Sequence, residues 1–168
     1  MKKLIVFSII ALMLSFYSHA KDDYLFHGKC KEAYLYHFLD RSCSYGDEIG
    51  VKILLSQGAD PNGKGYKYYV ECTGISFEFS SPLYVAVRKK NIKIVKMLLD
   101  AGADPNLLEG EGVTPFVAAV ESENIEMVKL LLKRGAKIEV KGLLPFYNPL
   151  KIAKEKRNAI LIKLLKEN

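Results

Sequence analysis

The residues of this 168-residue chain best suited to chemistry are its three cysteines, Cys30, Cys43 and Cys72, and its three histidines, His19, His27 and His37. The thiols could do redox or disulfide chemistry, and His27, Cys30, His37 and Cys43 have the donor types of a zinc site. Their spacing matches no standard zinc pattern. No Ser or Asp pattern beside His27 or His37 marks a nucleophilic triad. A glycine-rich phosphate loop, a paired-carboxylate motif and a nucleotide fingerprint are likewise missing from the sequence. The reading is a chain with no catalytic residues, no metal and no cofactor, and therefore not an enzyme.

Composition narrows the classes further. Hydrophobic residues make up 49% of the chain, enough for one compact domain and too many for a disordered one. The formal charge is +6, from 25 basic and 19 acidic residues. Residues 148–168 hold six basic residues against two acidic, and residues 21–147 are balanced at 17 each. So modest a surplus, confined to one end, argues against a nucleic-acid partner. Lys2 and Lys3 precede an apolar run from Leu4 to Tyr17, and Ser18-His19-Ala20 puts small residues where a signal peptidase cuts. Residues 1–20 are expected to be a cleaved secretory signal. Fourteen helical residues reach roughly 21 Å, short of the roughly 30 Å hydrocarbon core, so no stable membrane anchor is expected after cleavage. The mature chain would start at Lys21, in the periplasm.

The elements that must position any functional side chain repeat along the sequence. Pro82, Pro115 and Pro149 recur at spacings of 33 and 34, and Asn91, Asn124 and Asn158 follow the same steps. A period near 33 is that of a helical array. Ser81-Pro82-Leu83, Thr114-Pro115-Phe116 and Asn148-Pro149-Leu150 each open a helix, with a capping oxygen and a proline whose missing amide hydrogen is no loss. A second helix follows in each unit, through Ile94–Leu99, Met127–Leu132 and Leu161–Leu165. Gly102 and Gly135 close it, and Gly-Ala-Asp-Pro-Asn at 58–62 and 102–106 turns toward the next unit. An earlier copy lies in Gly46-Asp47, Val51–Leu55 and Gly58. Leu54, Leu98, Leu131 and Leu164 are expected to form a repeating core stripe.

These residues resemble the ankyrin repeat, whose signature runs Thr-Pro-Leu-His, a small-residue pair, Val…Leu-Leu and Gly-Ala-Asp-Val-Asn. The resemblance covers residues 38–168 with a gap, and implies an all-α solenoid of four repeats, at about 29–62, 81–106, 114–139 and 148–168. Tyr84, Val117 and Lys151 stand where the family has His, and Lys137-Ile138-Glu139 replaces Asp-Val-Asn. Cys43 would take the second small-residue position of the first unit, buried and unreactive. Cys30 and Cys72 would then be free to form a disulfide, with Cys43–Cys72 the competing pair. Cys30–Cys72 would close a loop of about 40 residues, worth on the order of 4 kcal/mol.

Between the first two units the step is 44 residues rather than 33. The inserted segment, 63–80, alternates on both sides of Thr73-Gly74, with Tyr66, Tyr68, Val70 and Cys72 before it and Ile75, Phe77 and Phe79 after it. Period two on both sides predicts a β-hairpin. One aromatic face would pack on the repeats, leaving Tyr69 to a partner.

In ankyrin proteins partners meet the finger tips and the ends of the first helices. The resemblance therefore implies a protein-binding site at Ser44 and Tyr45, Arg88 and Lys89, Glu121 and Ser122, and Glu155 and Lys156, joined by Leu108, Glu111 and Val113 on a finger and by Tyr68, Tyr69 and Phe77 in the insertion. Arg88, Lys89, Lys90, Lys93 and Lys96 could steer an acidic partner. The expected function is specific protein binding by a monomer, as an immunity protein against a secreted toxin or as a protective factor for a periplasmic enzyme. A thiol- or metal-dependent sensor is the competing class. Thiol titration of the oxidised mature chain is expected to find one thiol that reacts only on unfolding, and metal analysis to find no metal. A fast thiol or a bound metal would turn the reading to the sensor.

Overall fold

The computed structural model describes residues 29–63, 80–109, 112–139 and 145–168. The signal segment, most of the insertion with Tyr68, Tyr69, Cys72 and Phe77, and Glu111 lie outside the described residues. Among those described there are eight α-helices, taken in pairs: α1 (Lys29–Tyr45) with α2 (Glu48–Ser56), α3 (Pro82–Arg88) with α4 (Ile92–Asp100), α5 (Pro115–Glu121) with α6 (Ile125–Lys133), and α7 (Pro149–Glu155) with α8 (Ala159–Lys166). A 3-10 turn, Pro145–Tyr147, precedes α7. Each pair packs internally, and first helices stack in series, α1 on α3 on α5 on α7. The chain is the all-α repeat solenoid expected from its periodicity.

Why these segments are helical follows from their starts. Every helix after α1 has a side-chain oxygen accepting from the backbone N–H three residues on: Asp47 from Gly50, Ser81 from Tyr84, Asn91 from Ile94, Thr114 from Val117, Asn124 from Met127, Asn148 from Lys151 and Asn158 from Leu161. The caps at Ser81, Thr114 and Asn148 use the backbone of Tyr84, Val117 and Lys151, so these bonds survive the family's missing histidines. Helix ends are closed by Gly58, Gly102 and Gly135, at φ 91°, 91° and 87°. There a side chain would be strained.

The core is one continuous stripe. Val51, Val95 and Val128 recur on the second helices, with Leu54, Leu98, Leu131 and Leu165. The last differs from the sequence reading: Leu165 is buried and Leu164 only half-buried, because the final step is 34 residues and shifts the register by one. Cys43 is buried, free and fully enclosed, as expected. Its position is the expected one as well. The bond from Asp47 N–H to Ser42 O parallels that from Asn91 N–H to Ala86 O, so Ser42 aligns with Ala86 and Cys43 with Val87, the second position of the small-residue pair. Burial, then the nearby Asp40 charge, push the Cys43 thiol far above its ordinary value, which keeps it protonated and inert.

The fingers are fastened to each other by the asparagine of Gly-Ala-Asp-Pro-Asn. Asn62 donates to Gly102 O at 3.2 Å and accepts from Asp104 N–H at 2.7 Å. Asn106 does the same one unit later, to Gly135 O at 3.1 Å and from Lys137 N–H at 2.7 Å. Asp60 and Asp104 shape the turn by accepting from Asn62 and Asn106 N–H at 2.8 and 2.9 Å. Glu139 replaces the third asparagine.

Between paired helices the backbone must pass through the left-handed region. Gly46 does so at φ 72°, but Lys90, Glu123 and Arg157 hold 57°, 54° and 54° with a Cβ in place. Lys90→Gly is therefore expected to raise stability by about 1 kcal/mol, after the entropy gained by the unfolded chain is deducted. Urea denaturation checks this; a loss of stability would refute the strain argument.

Candidate functional site

The repeated register brings the expected recognition residues to one edge of the stack. Gly46, Lys90, Glu123 and Arg157 occupy equivalent left-handed positions, so Tyr45, Lys89, Ser122 and Lys156, each one residue earlier, form a row. Ser44, Arg88, Glu121 and Glu155 form a second row beside it. Tyr45 is 64% exposed. Arg88, Lys89, Glu155 and Lys156 are exposed, while Ser44, Glu121 and Ser122 are half-buried. The Ser122 hydroxyl donates to Ala119 O at 3.0 Å, so it serves the fold.

Tyr45 is held by its own helix. Arg41 Nη2 donates to the Tyr45 hydroxyl at 2.9 Å, and the guanidinium carbon lies 5.1 Å from the ring centroid. One turn of α1 separates them, the spacing at which helical side chains meet. At the same tip Ile49 is 55% exposed, a site that sequence reading missed because Ile49 looks like one more apolar residue of α2. Its register counterpart in the last unit, Ile160, is 63% exposed.

The finger between the second and third units corrects two readings. Leu108 is 36% exposed, as a contact residue should be, but Val113 is 8% exposed and lies in the core. It is buried because its backbone pairs with Glu109, whose N–H donates to Val113 O at 2.8 Å. Glu109, which the sequence reading passed over, is the buried polar residue of this finger. It is 4% exposed and accepts from Ser81 N–H at 2.8 Å, while the Ser81 hydroxyl donates to its other oxygen. Ser81 also caps α3, and Ser80 O, one residue earlier, accepts from the buried Tyr36 hydroxyl at 3.2 Å. The end of the insertion is thus clamped between α1 and the next finger. The only sequence signal for this was the acid three residues after Asn106.

No cluster of three or more metal-donor side chains is present among the described residues. Cys43 is buried and free, and Cys72 lies outside the described residues, so the Cys30–Cys72 pairing and its Cys43–Cys72 competitor stand as expectations.

Comparison with known proteins gives two kinds of match. The family pattern described as ankyrin repeats in three copies matches residues 39–142. An ankyrin repeat protein of fowlpox virus (strain NVSL) is 38% identical over 69 residues, a match covering 41% of this chain and 8% of the viral protein. A tRNA endonuclease of Schizosaccharomyces pombe is 33% identical over 76 residues, covering 39% of this chain and 13% of the endonuclease. Both relatives are far longer than the segment they share with it.

Glu109 yields a signed prediction. Burial raises its carboxyl above the ordinary value, against the opposing pull of the Ser81 hydrogen bonds. Folding therefore disfavours the charged form. The stability linked to this group is fully present below the ordinary value of about 4.3 and is lost as pH rises through the raised one. Asp40, raised by burial and partly restored by Arg41, acts in the same direction. In urea titrations between about pH 4.5 and 7, Glu109→Gln is expected to flatten the decline of stability with pH. Glu109→Ala should cost about 2 kcal/mol throughout, because Ser81 N–H and O–H lose their acceptor.

Proposed function

This chain belongs to the ankyrin-repeat family, and on that premise we propose that it is an exported, monomeric binding protein that neutralises one protein partner in the periplasm, a toxin delivered by a secretion system such as a lipase effector. Ankyrin repeats serve protein–protein recognition. The observation that carries the reading is the row Tyr45, Lys89, Ser122 and Lys156, with Arg88, Glu121 and Glu155 alongside: unlike side chains at one repeating register on a support whose backbone is fixed by caps and staples. A preformed wall loses little ordering entropy on docking, so its contacts convert more fully into affinity.

The choice of a toxin as partner rests on the sequence. The amino-terminal segment reads as a signal, and residues 63–80 add aromatic side chains suited to entering an enzyme cleft. A protective or assembly factor for a periplasmic enzyme would use the same face, and the identity of the captured protein separates the two.

Mature protein recovered from the periplasm is expected to capture one stoichiometric partner from cells that carry the neighbouring genes, and co-expression should restore growth to cells producing that partner. Arg88→Ala or Tyr69→Ala should weaken the complex roughly tenfold or more. Capture of nothing, or growth arrest that co-expression leaves unchanged, would overturn the proposal.

A further inference from the structure

We propose that the tips of the first two units, Tyr45 with Ile49 and Arg88 with Lys89 and Lys90, form one docking patch for an acidic protein segment that carries an apolar residue beside its carboxylates. This rests on the binding-protein reading and names the chemistry of the partner. The two tips are joined. Lys93 Nζ lies 3.5 Å from Glu48 Oε1, and the Asn91 side-chain amide approaches Gly46 so closely that a Cβ built there would sit 3.5 Å from it. Tyr45 and Lys90 are the residues immediately before Gly46 and Asn91, so they stand at these joined tips.

Charge is the first argument. Over residues 21–147 the signs balance, yet Arg88 to Lys96 holds five cations and no acid. Elsewhere on the stack several cations are answered within the molecule: Arg134 by Asp100 at 2.6 Å, Lys151 by Glu155 at 3.8 Å and Lys156 by Glu123 at 3.9 Å. Of the third unit's acids, Glu123 is turned toward the fourth unit, where it also accepts from Asn158 at 2.8 Å. Lys93 is answered by Glu48, whereas Arg88, Lys89 and Lys90 are exposed with no carboxylate within ion-pair distance among the described residues. Three adjacent like charges repel one another, and carboxylates from a partner relieve that repulsion and speed encounter.

Exposed ion pairs contribute little affinity, so charge alone would not hold a segment. Tyr45 and Ile49 supply the second argument. They are 64% and 55% exposed at the same tip, large apolar side chains on a rigid turn. Arg41 fixes the Tyr45 ring from behind by a hydrogen bond and by its position over the ring face, and adds a further positive charge. An aromatic anchor already in place loses little rotamer freedom when it is covered. Lys52, Lys129, Lys133, Lys154 and Arg157 also lack ion-pair partners among the described residues, but none belongs to a run of three adjacent exposed cations: Glu155 separates Lys154 from Lys156, and Arg134 beside Lys133 is paired with Asp100.

The test uses isotope-labelled mature chain and nuclear magnetic resonance. Four probes are titrated: a synthetic peptide of Asp and Glu around one Leu, the same peptide with Asn and Gln, the acidic peptide with Leu replaced by Ser, and phosphatidylglycerol vesicles. Shift changes from the first peptide are expected at residues 45–49 and 88–93. Binding should weaken at least about fivefold for the neutral and the Leu-free peptides, and about tenfold for Arg88→Glu/Lys89→Glu and for Tyr45→Ala. Equal binding of the Leu-free peptide, shifts centred on Lys52, Lys129 or the fourth unit, preference for the vesicles, or no shift at all would each overturn the inference. A captured partner that Arg88→Glu/Lys89→Glu still binds with unchanged affinity would overturn it while leaving the binding-protein reading intact. Failure to capture any partner removes that reading whatever the peptides do.

Discussion

Helices of seven to nine residues cannot hold themselves together in water. Seven of the eight described helices are of that length, and a helix so short has formed its costly nucleus without enough further turns to offset it. Everything else about the chain answers this deficit. Caps satisfy the first amides, glycines release the last turn, and burial of Val95, Leu98, Phe116, Val128 and Leu131 comes from the partner helix and the neighbouring pairs together. Order in one unit is therefore a property of its neighbours. The same dependence gives the outer edge its fixed spacing, since residues at equivalent positions are set by the stack and not by their own loops.

What the sequence revealed and what it hid divide along physical lines. Repetition of Pro, Asn and Gly at 33 and 34 residues exposed the helices, their caps and the stack, because each of those residue types is demanded by one backbone geometry. Register within the stack was less legible. Leu164 and Leu165 are identical in type, and only the one-residue lengthening of the final step decides which faces inward. Edge residues such as Tyr45, Arg88 and Lys156 could be placed by counting. Whether a counted position is exposed depends on cross-chain bonds, which is why Val113 was misread and Glu109 overlooked. Apolar content alone does not distinguish Ile49, which projects outward, from Ile94, which is fully buried.

Glu109 and Ser81 also show how an unusually long finger is accommodated. A carboxylate buried beside a backbone amide and a hydroxyl is a directional fastening, and it acts where the inserted residues rejoin the repeat. Tyr36 grips the preceding carbonyl from the opposite side. The extra residues thus leave and return at a fixed seam, and the α3 start stays in step with α5 despite the added length. An insertion held in this way can vary in sequence without disturbing the units on either side.

The asparagine staples run from the first finger to the second and from the second to the third, and there they stop, since Glu139 follows where a third would stand. The last pair keeps the tie at the opposite edge, where Asn158 and Lys156 reach Glu123 as Asn91 and Lys93 reach Gly46 and Glu48. Loss of the staple at one end gives the array a polarity. Its carboxyl-terminal pair rests on core packing and that one tied edge, without the staple of the pairs before it, and a partner seated on the opening units stands at the far end of the array from it.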